Sequence, residues 1–354
     1  MQTRTSPDNN FDLLRHIAAS LVLWSHSFSL SASSRDPLAG TFIDGALGVN
    51  IFFAISGYLI SESWFRRNDA QAFIEARLLR IMPALIASVL LCACVIGPLL
   101  TSASLGEYFA DWRLRWFVAG NISMQWMGEE LPYLFLDNPH PSVVNASLWT
   151  LPKEAAMYGA VLVVGFLCRW RRLSGAFVPI FAAAFAYATW RFIESAQSEH
   201  ALTFLRVSRY FLAGAILGRL TFDARANAVW ALALSAAMLA LPDSRFVQAA
   251  VPPLALACGV LAVARMPMPQ SIAGRWKVDL SYGLYVYGYP LQQVIFHFDK
   301  QLAGYGVFFI ALCLTALLAL ASWLLLEKPA LAQQGCLKAI AKNLRAALSA
   351  TRSS

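Results

Sequence analysis

The chain has 354 residues, of which 58% are hydrophobic and only 14% charged, with a formal net charge of +8 and a mean hydropathy of +0.55. A water-soluble domain carries about 25% charged residues, so this composition excludes a soluble globular protein: most side chains do not face water. The basic excess does not indicate nucleic acid either, because Lys and Arg are spread over several short segments rather than gathered in one patch.

Apolar stretches of about 20 residues, the length that a hydrocarbon core ~30 Å thick requires, recur along the whole chain. They predict an all-α, polytopic membrane protein of about ten transmembrane helices, at 12–33, 43–63, 79–100, 149–168, 174–193, 203–220, 226–241, 246–264, 279–298 and 303–326. Asp8 and Asp12 lie at or beside the first run and no small-residue cleavage site follows it, so the first helix is expected to stay in the membrane. With the N-terminus inside, most of the 28 Lys and Arg fall on the inner side: Arg4, Arg15, Arg66, Arg67, Arg77, Arg80, Arg169, Arg171, Arg172, Arg219, Arg225, Arg265, Arg275, Lys277, Lys328, Lys338, Lys342, Arg345 and Arg352. This asymmetry predicts an even number of spans with both termini in the cytoplasm. A transmembrane domain over 1–330 is expected, followed by a short basic cytoplasmic tail over 331–354. The 6 cysteines fall mostly inside apolar runs and have neither metal nor disulfide spacing. No metal site and no permanently bound cofactor are expected.

Ionisable groups inside spans are costly and often mark function. In the first helix, Arg15 and His26 are eleven residues apart; at ~100° per residue they return to within ~20° of one face, about three turns apart. Either His26 is functional, or it is a hydrogen-bonded interior histidine and Arg15 marks the cytoplasmic boundary. In the second helix, Gly45, Gly48 and Gly57 permit close helix approach, while Asn50 and Ser56 place polar groups in an apolar run; ordinary packing explains these equally well. Arg77 and Arg80, three apart at the start of the third helix, make either a phosphate clamp or plain topology anchors.

Residues 101–148 are too polar to span, yet they hold Tyr108, Phe109, Trp112, Trp116 and Trp126. An interfacial or re-entrant segment on the outer face is expected. In the fourth helix, Glu154 and Tyr158 are i, i+4 and face the same way, with Pro152 suited to the first turn. Lys153 points away from Glu154, so the carboxylate is expected to find another partner. An imidazole, whose basicity it would raise, is one candidate; a surface carboxylate at a helix end is the other reading. The ninth helix carries Ser281, Tyr282, Tyr285, Tyr287, Tyr289 and Pro290, either a polar cavity wall or aromatic packing.

In chain order these fragments resemble the acyltransferase-3 family of membrane O-acyltransferases. The resemblance begins with Phe11-Asp12-Leu13-Leu14-Arg15, ten residues and His26. It continues through Gly45, Gly48-Val49, Phe52-Phe53 and Ser56-Gly57-Tyr58, then Arg77-Leu78-Leu79-Arg80-Ile81-Met82-Pro83. Ser147-Leu148-Trp149, Glu154, Tyr158, Ser281-Tyr282-Gly283, Tyr285, Pro290 and a closing Glu327-Lys328-Pro329 complete it. One departure is Gly288, where many members carry His. The chain ends soon after the last helix, which implies a standalone member without a C-terminal esterase-like domain.

The resemblance implies an enzyme of the bacterial cytoplasmic (inner) membrane that uses acyl-CoA, acetyl-CoA in the first place, as donor substrate. The acceptor would be a hydroxyl on a cell-envelope glycan or lipid-linked sugar, such as O-antigen or exopolysaccharide. His26 would be catalytic, as general base or as carrier of the acyl group, with Arg15 and Glu154 setting its charge and orientation. Arg77 and Arg80 would hold the donor's phosphates, and Ser147, Trp149, Tyr158 and Tyr285 would bind substrate. Acyl-CoA, a carbohydrate acceptor and the bilayer are the implied partners, and nucleic acid is not. The alternative is a polytopic transporter or flippase of glycan precursors; a transporter predicts inverted repeats, and none is visible.

Overall fold

The computed structural model describes residues 10–31, 35–39, 41, 43, 45–170, 173–194, 199–220, 223–267 and 278–335. Of the residues singled out above, Arg4, Asp8, Arg171, Arg172, Arg275, Lys277, Cys336 and the tail cations Lys338, Lys342, Arg345 and Arg352 lie outside these.

Helices occupy all of the expected spans: α1 (Phe11–Leu30), α2 (Gly45–Arg67), α3 (Ala70–Leu91), α6 (Leu151–Trp170), α7 (Phe177–Glu194), α8 (Glu199–Leu217), α9 (Ala224–Ala240), α10 (Arg245–Ala264), α11 (Ser281–Phe298) and α12 (Gly304–Ser322). The short α4 (Leu105–Ala110) and α5 (Trp112–Ser123) lie between α3 and α6. α3 and α12 each run on through a π-helical turn, Cys92–Ile96 and Trp323–Glu327, into a final helical turn. The fold is therefore all-α, with a lone bridge between Glu130 and Val143 among the described residues. Among the described residues, five helical segments are long and apolar enough to cross a membrane: Gly45–Arg67, Ala70–Leu100, Ala146–Trp170, Arg245–Ala264 and Gly304–Ala332. That is the makeup of a multi-pass membrane protein.

Small residues set the closest contacts. A Cβ added at Gly57 would strike the carbonyl of Phe211, and one at Gly214 the carbonyl of Ala54, so α2 and α8 pack backbone to backbone. Gly45 and Gly48 likewise admit Ser25 and the Ala18 carbonyl of α1. In lipid, where no hydrophobic gain separates one apolar surface from another, such approach supplies much of the association. Gly57→Val is therefore expected to abolish the folded state, because the Phe211 backbone has no room to yield. Gly159, whose Cβ position is open, gives the contrast: Gly159→Ala is expected to raise stability by about 0.5–1 kcal/mol through helix propensity. Thermal unfolding in detergent reads both, and a Gly57→Val protein that melts like wild type would contradict the packing.

Prolines inside the helices remove donors, and at Pro290 and Pro253 a side chain meets the freed carbonyl. Pro290 leaves the carbonyl of Val286, four residues earlier, without its helical partner; Ser88 Oγ donates to it at 2.8 Å and Asn145 Nδ2 at 2.9 Å. Pro253 does the same to Ala249, whose carbonyl accepts from Arg209 Nη1 at 2.5 Å. In the π turn of α3 the bonding steps back five residues, Gly97 to Cys92, so the next donor would be that of Pro98 to Ala93; Tyr108 Oη donates to Ala93 at 2.9 Å instead.

The segment between α3 and α6 does two things. α5 displays Trp112 and Trp116 on the surface, with Trp116 stacked on Trp126 at 4.5 Å. Residues 142–150 then turn back into the bundle. Val144 N–H donates to the Glu129 carbonyl, Asn145 reaches α3 and α11, and Thr150 Oγ1 lies 2.8 Å from Tyr285 Oη. α6 thus begins against α11.

Candidate active site

A cavity of about 240 Å³ opens between α1, α2, α3, α6, α11 and the last turns after α12. Each polar side chain reaches it from an otherwise apolar helix. At one end are Arg15, Arg67, Arg77 and Arg80; deeper in are Ser56, Glu154, Tyr158, Thr150 and Tyr285.

The two arginines of α3 are not equivalent. Arg80 is held by Asp279 at 2.5 Å and by Glu327 at 3.4 Å, and its guanidinium lies against the rings of Tyr282 and Trp323. Asp279 also faces Arg15 at 3.6 Å, which itself pairs with Asp12 at 3.0 Å. Glu327 is fully buried and takes a further hydrogen bond from Ser322 at 3.1 Å. Arg77, by contrast, makes no ion pair among the described residues. It has a long contact to Ser63 Oγ, 3.4 Å, and lies over Phe73 and Tyr158, while its Nε is buried without a hydrogen-bond partner. Arg77 therefore has no ion-paired carboxylate among the described residues, and Arg80 has two.

Glu154 is met by two hydroxyls. Ser56 Oγ donates to Oε1 at 2.7 Å, Tyr158 Oη donates to the same oxygen, and the two hydroxyls are 3.0 Å apart. The i, i+4 spacing of Glu154 and Tyr158 thus acts as expected, while Lys153 swings away over the Trp149 ring, 4.5 Å to its centroid.

His26 is not in the cavity lining. It stands farther along α1 with its ring edge-on to Tyr289, centroids 5.0 Å apart and planes at 89°. Tyr289 lies one turn beyond Tyr285 on α11, about 6 Å of rise, so His26 sits just past the cavity's Tyr285 wall. The expected pairing of His26 with Glu154 and Arg15 does not form: Glu154 is engaged by Ser56 and Tyr158, and Arg15 by Asp12 and Asp279. A shared face on one helix fixes direction, but three turns of separation put Arg15 and His26 in different neighbourhoods.

Of the residues expected to touch substrate, Tyr158 and Tyr285 line the cavity, and Ser147 and Trp149 do not. Ser147 is buried in the 3-10 turn, its N–H donating to Asn145 Oδ1 at 3.1 Å. Trp149 lies under Lys153. Gly288 packs against Leu23, where a Cβ would meet Cδ1 at 2.7 Å, so α1 occupies the place of a side chain there. Sequence reasoning missed Asp279, an acid just ahead of α11, and His140, whose Nδ1 lies 2.9 Å from Tyr289 Oη. Burial holds the His140 imidazole below its ordinary pKa. Its only sequence signal was an imidazole within the aromatic-rich segment.

Residues 8–327 match the acyltransferase domain that defines the acyltransferase-3 family. The chain belongs to that family. It is 29% identical over 354 residues to Nodulation protein 10 of Rhizobium leguminosarum bv. viciae, covering 91% of this chain and 93% of that protein. It is 27% identical over 333 residues to an O-acetyl transferase of Shigella phage Sf6, covering 90% and 95%. No solved structure matches it. This acyltransferase therefore has relatives of its own length, and the arginines, Glu154 and His26 stand in a membrane enzyme of acyl transfer.

Proposed function

We propose that this acyltransferase moves an acyl group, acetyl in the first place, from acyl-CoA on the cytoplasmic side to a hydroxyl of a cell-envelope glycan or lipid-linked sugar on the outer side. The chain would cross the bacterial inner membrane ten times with both ends in the cytoplasm, which puts the arginine end of the cavity inside. The observation that carries the reading is Arg77, a cation with no ion-paired carboxylate among the described residues, at the mouth of a cavity whose depth holds hydroxyls and one carboxylate. An anionic donor is drawn to that mouth. The phage relative's name, O-acetyl transferase, supports acetyl and oxygen as the two partners of the reaction.

In this reading Arg77 holds phosphate oxygens of CoA and the thioester passes Tyr285 toward His26. The acceptor oxygen attacks the thioester carbonyl as its proton moves to His26; the C–S bond breaks, and the leaving sulfur recovers that proton. If His26 instead carries the acyl group, its nitrogen bonds the acyl carbon as the C–S bond breaks and the thiolate leaves; the acceptor oxygen then displaces that nitrogen, and its proton returns through the freed imidazole to the sulfur. Ser56 and Tyr158 hold the Glu154 side chain in place beside the path.

Comparing envelope glycans of cells with and without the enzyme by mass spectrometry tests the function. Loss of acetyl esters with the enzyme is expected, and unchanged glycan masses would refute the acceptor class. Arg77→Ala is expected to weaken CoA binding about fivefold to 150-fold, the loss of one charge-assisted contact of about 1–3 kcal/mol. Calorimetry with CoA measures it, and an unaltered affinity would leave Arg77 as a topology anchor.

A further inference from the structure

The His26 ring meets the Tyr289 ring edge-on, and Tyr289 is held from the segment between α5 and α6, which acyl transfer has so far not called on. Asn138 Nδ2 donates to Gln293 Oε1 at 2.6 Å and to the Gln293 carbonyl at 3.1 Å. Gln293 Nε2 donates in return to the carbonyls of His140 at 3.1 Å and Val143 at 2.7 Å. Asn138 and Gln293 are both buried, so this stretch is fixed to α11 by amide groups that have no water to turn to. The clamp brings His140 Nδ1 to 2.9 Å from Tyr289 Oη, and the ring of Tyr289, itself buried, meets His26 edge-on.

We propose that His140 is a positioning residue for acyl transfer: through the Tyr289 hydroxyl it fixes the ring against which His26 stands, and so sets the His26 imidazole toward the acceptor. The proposal rests on His26 being the working imidazole. A buried tyrosine hydroxyl requires a partner; His140 Nδ1 stands 2.9 Å from it, beside the Gln293 side chain that the same clamp holds. Without His140 the hydroxyl turns elsewhere and takes the ring with it. A displacement of about 1 Å in a reacting group costs on the order of a hundredfold in rate. His26 needs such support because Glu154 and Arg15 are committed to Ser56, Tyr158 and Asp279.

The test uses the full chain in membranes supplied with acetyl-CoA, reading alkali-labile acetyl esters formed on envelope polysaccharide, with CoA affinity measured on the purified protein. His140→Leu and Tyr289→Phe are each expected to lower kcat about tenfold to a hundredfold while CoA affinity stays at the wild-type value. The double variant is expected to be no worse than either single one, because both break the same contact. His140→Asn, whose amide can take the place of Nδ1, is expected to restore most of the rate, which a merely space-filling role would not predict. Should His140→Leu fail to fold, Tyr289→Phe, which removes a single oxygen, decides the matter. Full activity of Tyr289→Phe, losses that multiply in the double variant, or no recovery with Asn would each overturn the positioning role. Full activity of His26→Ala in the same assay would remove the reading beneath it, an outcome separate from the other three.

Discussion

Replacing His26 by alanine is expected to lower acyl transfer by about 10²- to 10⁴-fold, the range that a positioned general acid or base contributes, while the protein remains folded and inserted. The fold survives because the His26 ring makes an edge contact with Tyr289 and, among the described residues, no hydrogen bond on which another element depends. Transfer of label from acetyl-CoA to envelope glycan measures the first part, and thermal unfolding in detergent the second. CoA affinity should not change, since His26 lies beyond the cavity that Arg77 lines. Wild-type rates in this variant would return the mechanism to the cavity itself, where Glu154 with Ser56 is the remaining proton-accepting group.

Arg80→Ala is expected to act on stability before it acts on binding. Arg80 sits between Asp279 and Glu327, and removing it leaves two carboxylates in the protein interior without their main counter-charge, a change of the kind that costs about 3–5 kcal/mol. The expected result is a protein that melts well below wild type, whereas Arg77→Ala melts normally and loses CoA affinity. Arg80→Lys should recover only part of the loss, because a single ammonium replaces a two-sided guanidinium. If Arg80→Ala melts at the wild-type temperature, the ion pairs across α3, α11 and α12 contribute nothing, and Arg80 is free to serve the donor after all.

The helices were legible because apolar runs of membrane length leave little else to read, and the residues that line the cavity were legible because Arg15, Arg77, Arg80, Glu154, Tyr158 and Tyr285 are polar groups in those runs. Periodicity says which way a side chain points along its own helix, as with Glu154 and Tyr158. It does not say which helix lies opposite. Hence Glu154 was expected beside His26 and stands beside Ser56, and the paired arginines of α3 were expected to act together although Asp279 and Glu327 engage one of them. Asp279 and His140 were invisible for a different reason: both sit in polar connecting segments, where an acid or an imidazole is ordinary. The re-entry of residues 142–150 was legible only as excess aromatic content, since its cause, a carbonyl released by Pro290 at Val286, is made 141 residues later than Asn145 in chain order.

That long separation bears on how the protein is made. In hydrocarbon a carbonyl without a donor costs several kcal/mol, so α11 released alone into lipid would carry an unmet acceptor at Val286 through the membrane. Ser88 and Asn145, which satisfy it, are both synthesised earlier. The first half of the chain therefore serves as a template awaiting its later helix, and α11 has reason to leave the translocation machinery directly onto α3 rather than wander in the bilayer. Arg209 and Ala249 repeat the order, with the donor made before the proline-kinked helix that needs it. A ribosome stalled before α11 would hold a nascent bundle with both donors idle, and quality control that senses polar groups in lipid would find its target there.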